Sequence, residues 1–284
     1  MRTVALPDGA RMPALGLGTW RMGERAGNRR AEVDAVRTAL MLGYRLVDTA
    51  EMYGNGNAEE IVGEALRGVI ATGELRREQI TVVSKVLPHN ASKAGTARAC
   101  EASLRRLGLD CIDLYLLHWR GQHPLEATIA AFEALRQAGR VTHWGVSNFD
   151  ADDLAELIAT GTGAGCAANQ VYYSASRRGV EFDLLPAQRK LKMPVMAYCP
   201  LDEGTLARNA GLASIGKPHN ASAAQVALAW LLRAQDVIVI PKAVRQEHLR
   251  ENFSAAALTL GPDELAAIDR LFPPPKRKSA LTIV

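Results

Sequence analysis

The sequence predicts an α/β fold: a single (β/α)8 TIM barrel with an N-terminal β-hairpin and an extra C-terminal helix, forming one domain over residues 1–284. Eight short apolar runs alternate with longer segments of helical period. The alternation fills about 250 residues, which is the usual size of such a barrel. The rival fold is a doubly wound open sheet, which normally carries a Gly-x-Gly-x-x-Gly turn after its first strand. The chain has no such turn and no linker, so the sequence favours the barrel.

The extended elements begin with a hairpin. Two short runs flank Asp8-Gly9, a dipeptide that favours a tight turn between antiparallel strands. The apolar runs that follow have the length and composition of buried strands. They are residues 14–19, 44–49, 80–85, 111–118, 140–147, 166–171, 194–198 and 236–242.

The segments between the strands have the pattern of amphipathic helices. Ala, Leu, Ile and Val recur at i, i+3, i+4 and i+7, with charged residues between them. These segments are residues 31–43, 58–70, 93–108, 125–139, 151–161, 184–192 and 222–234. Several end in the glycine expected just after a helix, and Ser92 and Ser222 are suited to cap two helices at their N-termini. Residues 251–272 supply an eighth helix and one more that starts at Pro262.

Composition excludes several classes of protein. With 48% hydrophobic and 23% charged residues the chain is not of the disordered type, and no apolar run approaches the roughly 18 residues of a membrane span. The net charge of +4 is spread along the chain apart from residues 276–278, which is too weak for a nucleic-acid surface. The N-terminus shows no signal-peptide pattern, and the four cysteines form no CxxC pair. We therefore expect a cytoplasmic protein without nucleic-acid or membrane partners.

Two further site patterns are absent. Residues 211–217 come close to a phosphate-binding P-loop, but Pro218 replaces the required Ser or Thr and no strand precedes the segment. The six histidines lack metal-ligand spacing. We predict neither a P-loop nor a metal site.

Polar side chains recur at the carboxyl ends of the predicted strands, where barrels of this kind place their chemistry. Each alone has a structural explanation, such as a helix cap or a satisfied rim residue. All of them, however, come at the same position of the strand–helix repeat, which indicates that they share one site. The residues are Trp20, Asp48, Lys85, His118, Ser147, Asn148, Gln170, Tyr198 and Lys242.

Four of the residues near this rim suit proton donation to a carbonyl group. Asp48, Lys85 and His118 come from adjacent strands, and Tyr53 follows Asp48 on the same loop. A neighbouring ammonium is expected to lower the pKa of Tyr53 from its ordinary value of about 10, while Asp48 orients Lys85. His118 is placed to orient a carbonyl oxygen by hydrogen bonding. The group predicts carbonyl reduction wherever a hydride donor is present.

Over nearly its whole length, the chain resembles the aldo-keto reductase superfamily. The motifs that carry the resemblance are collinear and specific. They are GLGTW (16–20), GYRLVDTA (43–50) leading to Tyr53, Ser84-Lys85, DLYLLHW (113–119), GVSNF (145–149), NQV (169–171), AYCPL (197–201) and IPKAV to EN (240–252).

The resemblance implies a role for each matching residue. Asp48, Tyr53, Lys85 and His118 form the catalytic tetrad, with Tyr53 as the general acid. The nicotinamide cofactor is held in an extended form, its carboxamide by Ser147, Asn148 and Gln170 and its ring against Tyr198. Leu201 and the loop after it cover the pyrophosphate. The adenosine end is held by Lys242, Arg245, His248, Glu251 and Asn252.

The chain departs from the family pattern at the phosphate of the cofactor. Ala243 stands where the family has Ser, and His248 stands where it has Arg, which removes a hydroxyl donor and a planar fork suited to phosphate. Lys242 is retained, and Arg245 or Arg250 could compensate. We expect NADPH as the cofactor, with NADH as a weaker alternative.

The resemblance also implies a substrate class. Trp20, Met52 and Trp119 are expected to wall the substrate pocket, and only a short tail follows Phe272. A short tail predicts an open pocket for small aldehydes, α-dicarbonyls such as methylglyoxal, or keto-sugars, and we expect a monomer.

Two other functions remain open at this stage. A Schiff-base aldolase would use Lys85 as its nucleophile, which requires a desolvated, uncharged lysine. A non-catalytic member of the family would sense the cofactor without turnover. The charged neighbour Asp48 argues against the first, and the complete tetrad argues against the second.

Overall fold

A computed structural model describes residues 2–283 and contains the predicted barrel of eight parallel strands, β3 to β10. Each barrel strand pairs with the next one along the chain. Their bounds are Leu17–Gly18, Leu46–Asp48, Thr81–Val86, Ile112–Leu117, Val141–Ser147, Cys166–Tyr172, Val195–Tyr198 and Val237–Val239. Most of their residues are buried, because helices cover the outer face of a parallel barrel and side chains fill its interior.

The first and last strands meet and close the barrel. Leu15 forms a parallel bridge with Val239, and Gly18 forms one with Lys242. A Cβ atom at Gly18 would lie 2.8 Å from the carbonyl oxygen of Ile240. Glycine is therefore required for the close approach of the two chain segments at this point.

The predicted hairpin is present before the barrel. Strands β1 (Thr3–Ala5) and β2 (Arg11–Pro13) are antiparallel, with Val4 opposite Met12. The Nε2 atom of His143, near the start of β7, lies 2.9 Å from Oδ2 of Asp8 in the turn. The hairpin therefore covers the amino-terminal end of the barrel, away from the predicted site.

The helices follow the predicted order, with one addition. Helices α1 to α10 are Arg29–Leu42, Asn57–Ala71, Lys93–Leu107, Leu125–Gln137, Ala151–Ala159, Leu184–Lys190, Ala210–Gly216, Ala223–Leu232, Gln246–Ser254 and Pro262–Leu271. Ser92 and Ser222 cap α3 and α8 as predicted, each accepting a backbone hydrogen bond. The segment with the incomplete P-loop pattern forms α7, which packs against α8 and α10. No helix within residues 2–283 is long and apolar enough to cross a membrane.

The tail after α10 returns along the barrel towards the predicted site. Nζ of Lys278 lies 2.7 Å from Oδ2 of Asp152, and Arg178 donates a 2.7 Å hydrogen bond to the carbonyl oxygen of Phe272. Ile283 then lines the cavity at the carboxyl ends of the strands. The tail thus contributes a residue to the cavity.

Candidate active site

A cavity of about 630 Å³ opens at the carboxyl ends of the barrel strands. Asp48 is the last residue of β4, His118 follows β6 directly, and Tyr198 is the last residue of β9. All three line the cavity together with Tyr53, which begins a 3-10 turn after β4. The strand positions read from the sequence therefore meet in one place.

Lys85 lies behind this group and is completely buried. Its Nζ atom donates hydrogen bonds to Oδ2 of Asp48 (2.9 Å), the carbonyl oxygen of Thr49 (2.9 Å) and the hydroxyl oxygen of Tyr53 (3.1 Å). Three acceptors match the three protons of an ammonium group. Burial lowers the pKa of Lys85, and the carboxylate of Asp48 opposes that effect.

Tyr53 is oriented by this lysine. Because Nζ of Lys85 donates to the phenolic oxygen, the hydroxyl hydrogen of Tyr53 is free for another acceptor. The expected direction of its pKa shift was wrong. Burial, with the charges of Asp48 and Cys199, raises the pKa of Tyr53 well above its ordinary value. The phenol is therefore protonated at neutral pH.

His118 is uncharged at neutral pH, because burial and the positive charge of Lys85 hold its pKa well below the ordinary value. Its ring centre lies 5.8 Å from that of Tyr53, at 76°. Nδ1 is buried and has no hydrogen-bond partner among residues 2–283. Nε2 is then the ring nitrogen available to a molecule in the cavity.

Amide and hydroxyl groups at the ends of β7, β8 and β9 also line the cavity. Nδ2 of Asn148 donates to the carbonyl oxygen of His118 (3.1 Å), and Oδ1 accepts from the hydroxyl of Tyr198 (2.8 Å). Gln170 is buried, and its Nε2 donates to Oδ1 of Asp48 over 2.7 Å. The hydrogen bond from Gln170 to Asp48 therefore connects these amide groups directly to the catalytic candidates.

Two cationic side chains, Lys242 and Arg21, line the cavity together with His248, and Ala243 is buried beside Lys242. The Nη2 atom of Arg245 lies 2.6 Å from Nε2 of His248. A guanidinium can only donate, so Nε2 of His248 is the acceptor in this contact.

The three residues predicted to wall the substrate pocket, Trp20, Met52 and Trp119, all line the cavity, and Met52 is 45% exposed. The ring of Trp119 is 4.9 Å from that of His118. Trp119 therefore places an apolar surface beside the imidazole.

Most of the predicted site residues therefore meet in one cavity, and four do not line it. Lys85 lies behind the wall, while Arg245, Glu251 and Asn252 lie at or within α9, outside the lining. The cavity-lining members of the predicted set are Trp20, Asp48, Met52, Tyr53, His118, Trp119, Ser147, Asn148, Gln170, Tyr198, Leu201, Lys242 and His248.

Sequence reasoning missed several lining residues. Arg21 follows Trp20 directly and holds its guanidinium 4.6 Å above the Trp20 ring, so its position next to a rim residue was a usable signal. Cys199 and Glu203 lie on either side of Leu201 in the loop after β9, and the same reasoning could have identified them. Ile283 had no local signal, because the course of the tail depends on tertiary contacts.

The burial of Lys85 argues against the aldolase alternative. A Schiff-base lysine must present a free amine to a carbonyl substrate. Lys85 does not line the cavity, and its three hydrogen bonds use every ammonium proton inside the protein. The geometry favours a lysine that supports Tyr53.

Comparisons with known proteins agree with this arrangement. The model of the Aldo/keto reductase family matches residues 14–272. The chain is 48% identical to methylglyoxal reductase YeaE of Escherichia coli over 96% of its own length and 95% of that protein. It is 35% identical to glyoxal reductase of Bacillus subtilis, covering 95% and 92% of the two chains. A crystal structure of an aldo-keto reductase from Klebsiella pneumoniae in complex with NADPH superimposes with a TM-score of 0.94 at 45% identity, covering 100% and 99% of the chains.

Proposed function

The chain belongs to the aldo/keto reductase family, and from that premise we propose that it reduces small aldehydes, α-dicarbonyls such as methylglyoxal, or keto-sugars to alcohols with NADPH. One observation carries the proposal. A protonated Tyr53 accepts a hydrogen bond from buried Lys85 and faces a cavity that it shares with an uncharged His118.

The cavity fits a nicotinamide dinucleotide. Gln170 is buried at the lining, and its Nε2 is bound to Asp48, which leaves Oε1 for a carboxamide N–H. The aromatic face of Tyr198 suits a planar ring, and Lys242 with Arg21 suits phosphate. Ser147, Asn148, Gln170 and Tyr198 would hold the nicotinamide end, and Leu201 would cover the pyrophosphate.

NADPH supplies the hydride for the carbonyl carbon when it is bound. Nε2 of His118 then holds the carbonyl oxygen, and Tyr53 donates its hydroxyl proton to that oxygen. Lys85 stays hydrogen-bonded to the phenolate that forms, and Asp48 keeps Lys85 in place. Charge develops on Tyr53 next to a fixed ammonium in a buried site, where such stabilisation is strongest.

The size and lining of the pocket support small substrates. The cavity of about 630 Å³ must accept both a nicotinamide ring and the substrate between Trp20, Met52 and Trp119. The similarity to a methylglyoxal reductase and a glyoxal reductase supports α-dicarbonyls within that class.

The test of the proposed function is a panel of carbonyl compounds followed by loss of NADPH absorbance. We expect turnover of methylglyoxal and several small aldehydes and keto-sugars, with weak discrimination among them and poor turnover of steroid ketones. A kcat/KM for a steroid ketone above those of all the small carbonyls would contradict the substrate class. NADPH binding without turnover of any carbonyl would support the non-catalytic alternative.

The preference for NADPH over NADH is expected to depend on Lys242. A charge-assisted hydrogen bond to phosphate contributes roughly 1.5–3 kcal/mol, so Lys242→Ala should weaken NADPH binding by about 10- to 150-fold. NADH lacks the 2′-phosphate, and its affinity should hardly change. Fluorescence titration with both cofactors measures the difference, with Lys190→Ala on α6 as a control for loss of an exposed lysine. Equal losses for NADPH and NADH would place the phosphate elsewhere.

A further inference from the structure

The loop that follows β9 has an unusual backbone. Three non-glycine residues, Cys199, Asp202 and Glu203, have φ values of 46°, 50° and 53°, and Gly204 follows at 89°. Residues other than glycine rarely adopt this left-handed backbone conformation, and it persists only where neighbouring contacts hold the residue in place. Something outside the loop must therefore fix residues 199–204, which we call the cover loop.

Asp202 is the one residue of the cover loop that does not line the cavity. The others, including Cys199, Leu201 and Glu203, form part of the wall where the cofactor is proposed to bind. The carboxylate of Asp202 instead contacts the end of β8 and the segment after it, and the Asp202 side chain is 13% exposed. Its contacts are placed to hold the loop from behind.

Three donors converge on this carboxylate. The hydroxyl of Tyr172 donates to Oδ1 over 2.6 Å, the hydroxyl of Ser176 donates to Oδ2 over 2.9 Å, and Nε of Arg177 donates to Oδ1 over 3.3 Å. Burial opposes ionisation, but these hydrogen bonds hold the pKa of Asp202 below its ordinary value. Three hydrogen bonds to the Asp202 carboxylate therefore attach the loop to the barrel.

One of these donors also contacts the proposed ring-stacking residue. The ring of Tyr172 packs edge-on against that of Tyr198, with centres 5.4 Å apart at 62°. The hydroxyl of Tyr198 in turn donates to Asn148, which has a left-handed φ of 58°. Asp202 thus fixes the hydroxyl of a side chain that supports the position of the Tyr198 ring.

We propose that Asp202 is a positioning residue that holds both the cover loop and, through Tyr172, the Tyr198 ring against the bound cofactor. It acts from outside the cavity and touches neither cofactor nor substrate. This inference rests on the proposed function, because it assumes that NADPH occupies the cavity. Its effect should be seen in the rate at which the cofactor leaves.

The test is stopped-flow fluorescence of NADPH release from the full chain. Loss of a hydrogen-bonded charge should make release from Asp202→Ala at least about tenfold faster than from the wild type. Asp202→Asn should be intermediate, because its amide oxygen still accepts from Tyr172 but carries no charge. Asp236→Ala is the matched control, since Asp236 binds Arg189 at the start of β10 and lies outside the cavity lining.

A second variant keeps the proposal testable if Asp202→Ala does not fold. Tyr172→Phe retains the ring that packs on Tyr198 and removes only the donor to Asp202. It should also speed NADPH release, with thermal unfolding of the free protein close to wild type. Wild-type release rates in both Tyr172→Phe and Asp202→Asn would overturn the role of Asp202. A wild-type protein that does not bind NADPH would instead overturn the proposed function.

Discussion

Replacement of Tyr53 by phenylalanine is expected to lower kcat for methylglyoxal reduction by at least about 10²-fold, the effect typical of losing a general acid. The phenolic hydroxyl is the one protonated acid in the cavity wall whose oxygen is held by Lys85. NADPH affinity should stay close to wild type, because the aromatic ring remains. Steady-state kinetics and a fluorescence titration of NADPH measure the two quantities separately.

The control is Tyr115→Phe, which removes a hydroxyl on β6 that has no hydrogen-bond partner among residues 2–283. Its kcat should remain near wild type. A Tyr53→Phe enzyme that keeps most of its kcat would contradict the role of Tyr53 as proton donor.

The wild-type enzyme should show a flat pH dependence of kcat between about pH 7 and 9, because the pKa of Tyr53 lies above this range and that of His118 lies below it.

The parts of this molecule that depend on local periodicity were predictable from the sequence. Apolar runs of strand length alternating with helical segments give the barrel, and the serines before α3 and α8 mark helix starts because their hydroxyls accept backbone N–H groups. The rim position of Asp48 and His118 follows from the same repeat, since each side chain comes at the end of a parallel strand.

Features that depend on tertiary contacts were not predictable in this way. The raised pKa of Tyr53 results mainly from burial, which the sequence does not give, whereas the closeness of Lys85 to Tyr53 could be inferred from spacing. The contact between Arg245 and His248 depends on side-chain direction at the start of α9. Ile283 lines the cavity at the end of a tail whose Lys278 contacts Asp152 of α5, a tertiary contact that the local sequence does not indicate.

The second large effect concerns the buried ion pair behind Tyr53. Asp48 and Lys85 are 3% and 0% exposed and lie 2.9 Å apart. Removing one partner of such a pair leaves an uncompensated buried charge, which typically costs about 3–5 kcal/mol. Asp48→Asn should therefore lose about that much free energy of unfolding, and its kcat should fall because Lys85 is no longer held beneath Tyr53.

The pH dependence of this loss has a definite sign. Without Asp48 the pKa of Lys85 in the folded state falls further below its ordinary value, so the unfolded chain binds more protons than the folded one. The stability deficit of Asp48→Asn against wild type should then shrink as pH rises towards about 10, where the unfolded lysine also loses its proton. Urea unfolding of both proteins at a series of pH values measures this trend.

The double variant Asp48→Asn/Lys85→Met separates stability from catalysis. It leaves no charge in the buried pair, and replacing a buried pair by uncharged groups is often neutral or stabilising. We expect it to recover most of the free energy of unfolding lost in Asp48→Asn and to recover none of the kcat, because Tyr53 then lacks the ammonium that stabilises its phenolate. Recovery of kcat together with stability would mean that the pair serves the fold alone, and that Tyr53 does not depend on Lys85 for proton transfer.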